Sequence, residues 1–427
     1  MPGKWGKQMK LKEIEGIKME GMPYFKPEYW VSPINYEPEI ISKYPKNMLI
    51  YDVTLRDGEQ TPGVAWNEDE RVRVALALEE MGVKRIEIGM PAVSDTIGKA
   101  VKRLMNMNSK LDLVALCRAN KKDIDLCLDI GFKSIIVEHS INPYLCEHAL
   151  NLSVDKLLER LITSVEYAKS QGLNTNFFGW DAFRTSIPYL EKIFGTVVKE
   201  AKPDSVTLTD TFGVALPSAV KLTVEKVREA IGDVPLEFHG HNEFGYGTGA
   251  AMAAVEGGAS GIHCAVNGLG ERTGNVPTEE VVMALELLVG VDTGVDLSKI
   301  HGVSQLVSEI GKVPIAKNKA IVGSNLSKVE SGLVTDVVYR MKKIGIDTGM
   351  SPFTPELIGG EPFEYVIGKG SGKANIIVYL EKNGYDPEAV TKEQMGEIIE
   401  LVKTESRVRK AILNEKILME IVKKVLG

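Results

Sequence analysis

From residue 48 onward, short runs rich in β-branched and aromatic residues alternate with longer stretches whose apolar positions recur at i, i+3 and i+4. The short runs read as strands: MLIYDVTL, VKRIEIGM, LDLVALCR, KSIIVEHS, NTNFFGWD, DSVTLTDT, PLEFHGH and GIHCAVNG. The longer stretches, such as NEDERVRVALALEEMG, VDKLLERLITSVEYAKSQG and LPSAVKLTVEKVREAIG, read as amphipathic helices. Several end in the glycine that favours a helix C-terminus. Eight strand–helix pairs in one α/β run predict a closed (β/α)8 TIM barrel. An open doubly wound sheet is the alternative, but it usually shows fewer strands and a Gly-rich first turn.

The pattern changes at both ends. Residues 1–47 carry Trp5, Tyr24, Phe25, Tyr29, Trp30, Tyr36 and Tyr44 among prolines and charges, without periodicity. Such a segment is expected to pack its aromatics on the barrel or on a partner subunit. Beyond residue 300 the alternation stops: 301–360 mix helix and loop, and 385–427 read as small amphipathic helices. The expected organisation is an N-terminal extension at 1–47, a catalytic barrel at 48–300, and a post-barrel linker with a mainly helical C-terminal extension at 301–427.

Composition narrows the class. Hydrophobic residues make up 44% and charged residues 26% of the 427, which suits a large globular core. The net charge of −7 comes without a basic block, which argues against nucleic acid or an anionic membrane as partner. No apolar run reaches the roughly 18–20 residues that span a bilayer, and MPGKWGKQMKLKEIEG lacks the apolar core of a signal peptide. Cys117, Cys127, Cys146 and Cys264 show no Cys-x-x-Cys spacing, so they read as small buried hydrophobes in a reducing compartment. A cytoplasmic enzyme is the expectation.

In a parallel barrel the reactive groups sit at the C-terminal ends of the strands. Four ends stand out: TLRDGEQ (54–60), TDTFG (209–213), EFHGHNEFG (237–245) and NGLGERTGN (267–275). His239 and His241 are two apart, so both imidazoles face the same way, and Glu237 shares that face. The chain has only 6 histidines, and two of them fall here. With Asp57 they would make a mixed nitrogen and oxygen set for a divalent metal. Arg56 beside Asp57 offers a planar fork suited to a carboxylate. The plainer alternatives are two solvated or core histidines and an ordinary surface Arg–Asp pair.

TLRDGEQTPGVAW, EIGMPA, TDTFG, EFHGH, NGLGERTGN and GVDTGVDLSKI, taken in this order, resemble the homocitrate, isopropylmalate and citramalate synthase family. The nitrogen-fixation type of homocitrate synthase is the nearest pattern, and the resemblance runs over residues 48–380. It implies condensation of acetyl-CoA, or another acyl-CoA, with a 2-oxo acid by a homodimer that holds Mg²⁺, Mn²⁺ or Zn²⁺. Residue by residue, it implies Asp57, His239, His241 and Asn275 as metal ligands. It further implies Arg56, Gln60 and Thr211 on the substrate, with Arg56, Thr211 and Glu237 as the catalytic groups.

The chain also departs from that pattern. The family's post-barrel His-Glu-Ser/Ala-Gly-Ile-His reads Val329-Glu330-Ser331-Gly332-Leu333-Val334, and Gly-Lys-His-Ser-Gly reads Gly368-Lys369-Gly370-Ser371-Gly372. The base that would enolise the acyl donor is therefore missing from its usual place. On the fifth strand Trp180 replaces a glutamate over the substrate. Asn176 replaces the arginine that reads the far carboxylate of 2-oxoglutarate in lysine-pathway members. Phe178 and Trp180 predict a drier, bulkier pocket wall that points away from 2-oxoglutarate. GKGSGK (368–373) lacks the spacing of a phosphate loop and reads as a lysine-rich turn.

Three readings follow. One is condensation with the base relocated to Glu330, Tyr339 or a group near the metal. The second is a metal-dependent aldolase or lyase acting on a 2-oxo acid or a tertiary hydroxy acid. The third is a catalytically silent paralogue that binds a 2-oxo acid or CoA.

Overall fold

Each of the eight segments read as strands forms one strand of a closed barrel in the computed structural model, which describes residues 21–427. The strands are β1 (Leu49–Asp52), β2 (Arg85–Gly89), β3 (Asp112–Arg118), β4 (Ser134–Ser140), β5 (Asn174–Trp180), β6 (Ser205–Asp210), β7 (Leu236–Gly240) and β8 (Gly261–Cys264). Every neighbouring pair is parallel, and β8 closes the ring by pairing with both β7 and β1. Parallel neighbours require crossovers, which the intervening helices supply.

Local chemistry fixes the helix ends. Asn67 caps α1 (Glu68–Glu80) through a reciprocal pair: its side chain accepts from Glu70 N, and Glu70 accepts from Asn67 N. Lys121–Ile130 (α2) ends at Gly131, whose φ of 108° is a left-handed geometry that a glycine adopts without strain.

Strand alternation sorts side chains between the barrel interior and the helix layer. Tyr51, Val114, Leu116, Ile136 and Phe178 form an interior cluster, with Met90 and Trp180 packed against it. Glu138 shares the parity of Ile136 and lies at the C-terminal end of β4. There it stands in register with Arg118 on one side and Phe178 on the other.

The chain divides into two compact units. The barrel unit comprises Glu37–Leu326 and Ile358–Gly360. The other comprises the described residues 21–36, Ser327–Leu357 and Glu361–Gly427. Its core is built from Ile367, Ile376, Leu380, Met395, Ile398, Val402, Leu413, Leu418 and Val422. These come largely from the helices Lys373–Lys382, Lys392–Arg409 and Glu415–Leu426. In this unit Phe25–Lys26 pairs with Tyr29–Trp30, and Trp30 N donates to Pro352 O at 2.8 Å. Trp5 lies outside the described residues.

GKGSGK forms a turn leading into the helix Lys373–Lys382. Nearby, Gly332 N donates to Gly370 O and Gly370 N donates to Glu330 Oε1, so the segments carrying Val329, Val334 and Gly370 lie side by side. All four cysteines are free and buried. No helix among the described residues is long and apolar enough to cross a membrane.

Candidate metal and substrate site

β7 delivers His239 and His241 from its C-terminal end, and the turn after β1 delivers Asp57. Asp57 Oδ2 lies 3.4 Å from His239 Nε2 and 3.7 Å from His241 Nε2, and the two Nε2 atoms are 3.3 Å apart. All three residues are buried. Ligand atoms about 2.0–2.2 Å from one ion and 90–110° apart lie about 2.8–3.6 Å from each other, a span that two sides of the triangle meet and the third, at 3.7 Å, comes close to. The triangle therefore has the size and the donor chemistry of a divalent-metal site.

Two loops hold it. Asp57 N donates to Val53 O at 2.9 Å, and Thr54 Oγ1 accepts from Val266 N at 2.8 Å, which ties the β1 turn to the loop after β8. Glu59 takes both oxygens to Arg71 Nη2, at 2.6 and 2.7 Å, and anchors the turn to α1. In the last loop, Asn275 Nδ2 donates to Asp57 Oδ1 at 2.9 Å and to Leu269 O at 2.8 Å. Gly270 has φ +154°, and a Cβ there would fall 2.2 Å from Asn275 Nδ2 and 3.0 Å from Asp57 Oδ1. Only a glycine lets this loop lie against the ligand set.

Charge follows from burial and neighbours. Burial works against ionising Asp57, but the Arg56 charge and the nearby His239 and His241 rings outweigh it and hold the carboxyl well below its ordinary value. Burial pushes His239 down to about 3, against the pull of Asp57. A neutral imidazole beside an ionised carboxylate is the state in which both are ligands.

Arg56 links this triangle to the substrate space. Its Nε donates to Glu87 Oε1 at 2.6 Å, and its Nη1 to Asp57 Oδ2 at 2.8 Å and Gln60 Oε1 at 3.3 Å. Its Nη2 is buried and has no partner among the described residues. A cavity of about 230 Å³ opens here, lined by Arg56, Asp57, His239 and His241 with Gln60, Thr209, Thr211, Phe178 and Trp180. Thr209 Oγ1 is buried without a partner among the described residues, and Thr211 Oγ1 accepts from Asp181 N at 2.9 Å. Leaving buried polar groups unmatched costs about 1–3 kcal/mol each, so the free Arg56 and Thr209 atoms mark where a polar ligand would be satisfied.

Glu237 sits elsewhere. It is on the histidine face but one step deeper, where Oε2 meets His263 Nε2 at 2.9 Å and Asn176 Nδ2 at 3.2 Å, and Oε1 meets Arg85 Nη1 at 3.4 Å. It does not line the cavity. Asn275 reaches Asp57 through its amide nitrogen, and its buried Oδ1 has no partner among the described residues.

Three lining or supporting residues escape a reading confined to four strand ends: Glu87, Arg118 and Glu138. Each is an ionisable residue of inward parity on β2, β3 or β4, which is the signal that marks them.

The HMGL-like family matches residues 47–307. The homocitrate synthase AksA of Methanopyrus kandleri is 36% identical, over 90% of this chain and 93% of its own. The 2-isopropylmalate synthase of Methanocaldococcus jannaschii is 36% identical, over 86% of this chain and 71% of its own. Among solved structures, the hydroxymethylglutaryl-CoA lyase of Pseudomonas aeruginosa shares the barrel fold, with a TM-score of 0.57 and 21% identity, covering 64% of this chain and 96% of that one. On the family match and these relatives, the chain belongs to the HMGL-like family.

Proposed function

We propose that this chain is a divalent-metal-dependent acyltransferase that condenses acetyl-CoA, or another acyl-CoA, with a 2-oxo acid. One observation carries the reading: Asp57 Oδ2, His239 Nε2 and His241 Nε2 converge beside the unpartnered Nη2 of Arg56. The homocitrate and isopropylmalate synthases among its relatives support the same chemistry.

Asp57, His239 and His241 would hold the ion (Mg²⁺, Mn²⁺ or Zn²⁺), with Asn275 fixing Asp57. Bound there, a divalent ion supplies Lewis-acid polarisation of a 2-oxo group. Arg56 donates its free Nη2 to the keto oxygen and stabilises the charge that develops on it. Gln60 steadies the guanidinium, Thr211 and Thr209 donate to the substrate carboxylate, and Phe178 and Trp180 exclude water. The enzyme acts in the cytoplasm as a homodimer, with residues 48–300 as the catalytic domain and the segment after residue 300 completing the neighbour's site.

Thiol release from acetyl-CoA, followed with pyruvate, oxaloacetate, 2-oxoisovalerate and 2-oxoglutarate in each metal, tests this. No release in any combination overturns it. Val329, Val334 and Gly370 at the family's histidine positions favour one second reading, a lyase on tertiary hydroxy acids. A more acidic substrate would need no histidine there, and 2-oxo acid formation from such a hydroxy acid would reveal it.

A further inference from the structure

With the family's histidines replaced, the acyl donor has no assigned base. The two post-barrel candidates are engaged: Glu330 Oε1 accepts from Gly370 N at 2.8 Å, and Tyr339 donates its hydroxyl to Glu381 Oε1 at 3.1 Å. A carboxyl inside the barrel is placed differently.

Glu138 lines the cavity that holds Arg56, Asp57 and the two histidines. It also lines an adjoining cleft of about 600 Å³ framed by Asn120, His139, Leu150 and Arg160. Arg118, Glu138 and Trp180 are the residues common to both spaces. Trp180 has no basic atom, and Arg118 is clamped by Asp123 through Nε and Nη2, at 2.8 and 2.9 Å. Glu138 is thus the one proton acceptor at the junction, and among the described residues no group hydrogen-bonds its carboxylate.

The charged groups facing it are Arg56 from the β1 turn, Glu87 from β2 and Arg118 from β3; β5 contributes only Phe178 and Trp180. Burial raises the Glu138 carboxyl above its ordinary value, opposed by Arg56, reinforced by Glu87 and opposed again by Arg118. A carboxylate whose proton affinity is raised is the better base.

We propose that Glu138 is the base that enolises the acyl thioester, with the 2-oxo acid in the inner cavity and the thioester in the outer cleft. The inference rests on the acyltransferase reading above. The Glu138 carboxylate takes one proton from the carbon next to the thioester carbonyl. The C–H pair becomes the enolate double bond, and the carbonyl pair moves onto oxygen. The enolate carbon then bonds to the keto carbon, whose π pair passes to its own oxygen beside Arg56. The enolate oxygen's pair re-forms the thioester carbonyl, and the alkoxide takes the proton that Glu138 now carries. Water then cleaves the thioester, its OH going to the acyl carbon and its proton to the released thiol.

The test compares the parent protein with E138Q and E138D. It follows thiol release, deuterium entry into the acetyl-CoA methyl group in D2O with oxamate in the 2-oxo acid place, metal content, and calorimetric affinity for oxamate. General-base removal is expected to lower kcat and methyl exchange by about 10²–10⁴-fold in E138Q. Metal content and oxamate affinity should hold, and E138D should recover part of both rates. E138Q with parent-like exchange, or with rates that fall only because oxamate or metal binding is lost, overturns the base assignment. A parent protein that releases thiol from no acyl-CoA instead refutes the acyltransferase reading itself, and the Glu138 assignment falls with it.

Discussion

Asn275 donates its side-chain amide to Oδ1 of Asp57 at 2.9 Å, which leaves Oδ2 turned to the two histidines. A residue that orients a metal-binding carboxylate typically carries 10- to 100-fold in affinity. Asn275→Ala is therefore expected to weaken Mn²⁺ binding by about that factor while the barrel stays folded. A metal titration by calorimetry checks it, and unchanged affinity would remove Asn275 from the site.

Arg56 spreads one guanidinium over Glu87, Asp57 and Gln60 and keeps Nη2 free. A lysine is a point charge and cannot make that fork. Arg56→Lys should lower kcat/KM by about 10²–10³-fold, the scale of a lost donor to a developing oxyanion. Steady-state kinetics at saturating metal decide the point.

Glu237 is predicted to act on stability before chemistry. Its carboxylate is shared by His263, Asn176 and Arg85 in the barrel interior. Removing one partner of a buried charged set costs about 3–5 kcal/mol. Glu237→Ala should shift the denaturant midpoint accordingly, and metal affinity per folded molecule should stay near that of the parent. A variant of parent-like stability that binds no metal would contradict this placement.

Asp52 gives a pH signature. It is fully buried, and burial raises its carboxyl to about 7, against the hydrogen bonds from Thr54 and Thr278. Its folded-state value exceeds the unfolded one, so the folded state holds the proton more tightly. That stabilisation is complete at low pH and is lost as pH rises through about 7. Asp52→Asn should flatten the dependence of unfolding free energy on pH between about 4 and 7. Urea melts across that range measure it.

The barrel was legible because each strand buries both faces and so announces itself as a β-branched run, from MLIYDVTL to GIHCAVNG. The shared face of Glu237, His239 and His241 was legible too, since strand side chains alternate with period two. Depth was not. The stagger that sets Glu237 opposite Gly261 and Thr207 is a property of strand pairing, and it places that carboxylate a layer below the histidines. Glu138 was missed for a related reason. A single charged residue after Ile136 reads as the polar end of a strand until the cavity walls show what it faces.

Asp57 is the residue on which the metal and substrate assignments meet. The most direct measurement is thiol release from acetyl-CoA by metal-depleted protein titrated with Mn²⁺, in the parent and in Asp57→Ala, with a 2-oxo acid that the parent accepts. The parent should gain activity that saturates at one ion per chain, while Asp57→Ala, folded by circular dichroism, should stay inert at every concentration. Full activity in the metal-depleted parent, or metal-dependent turnover in Asp57→Ala, would contradict the account.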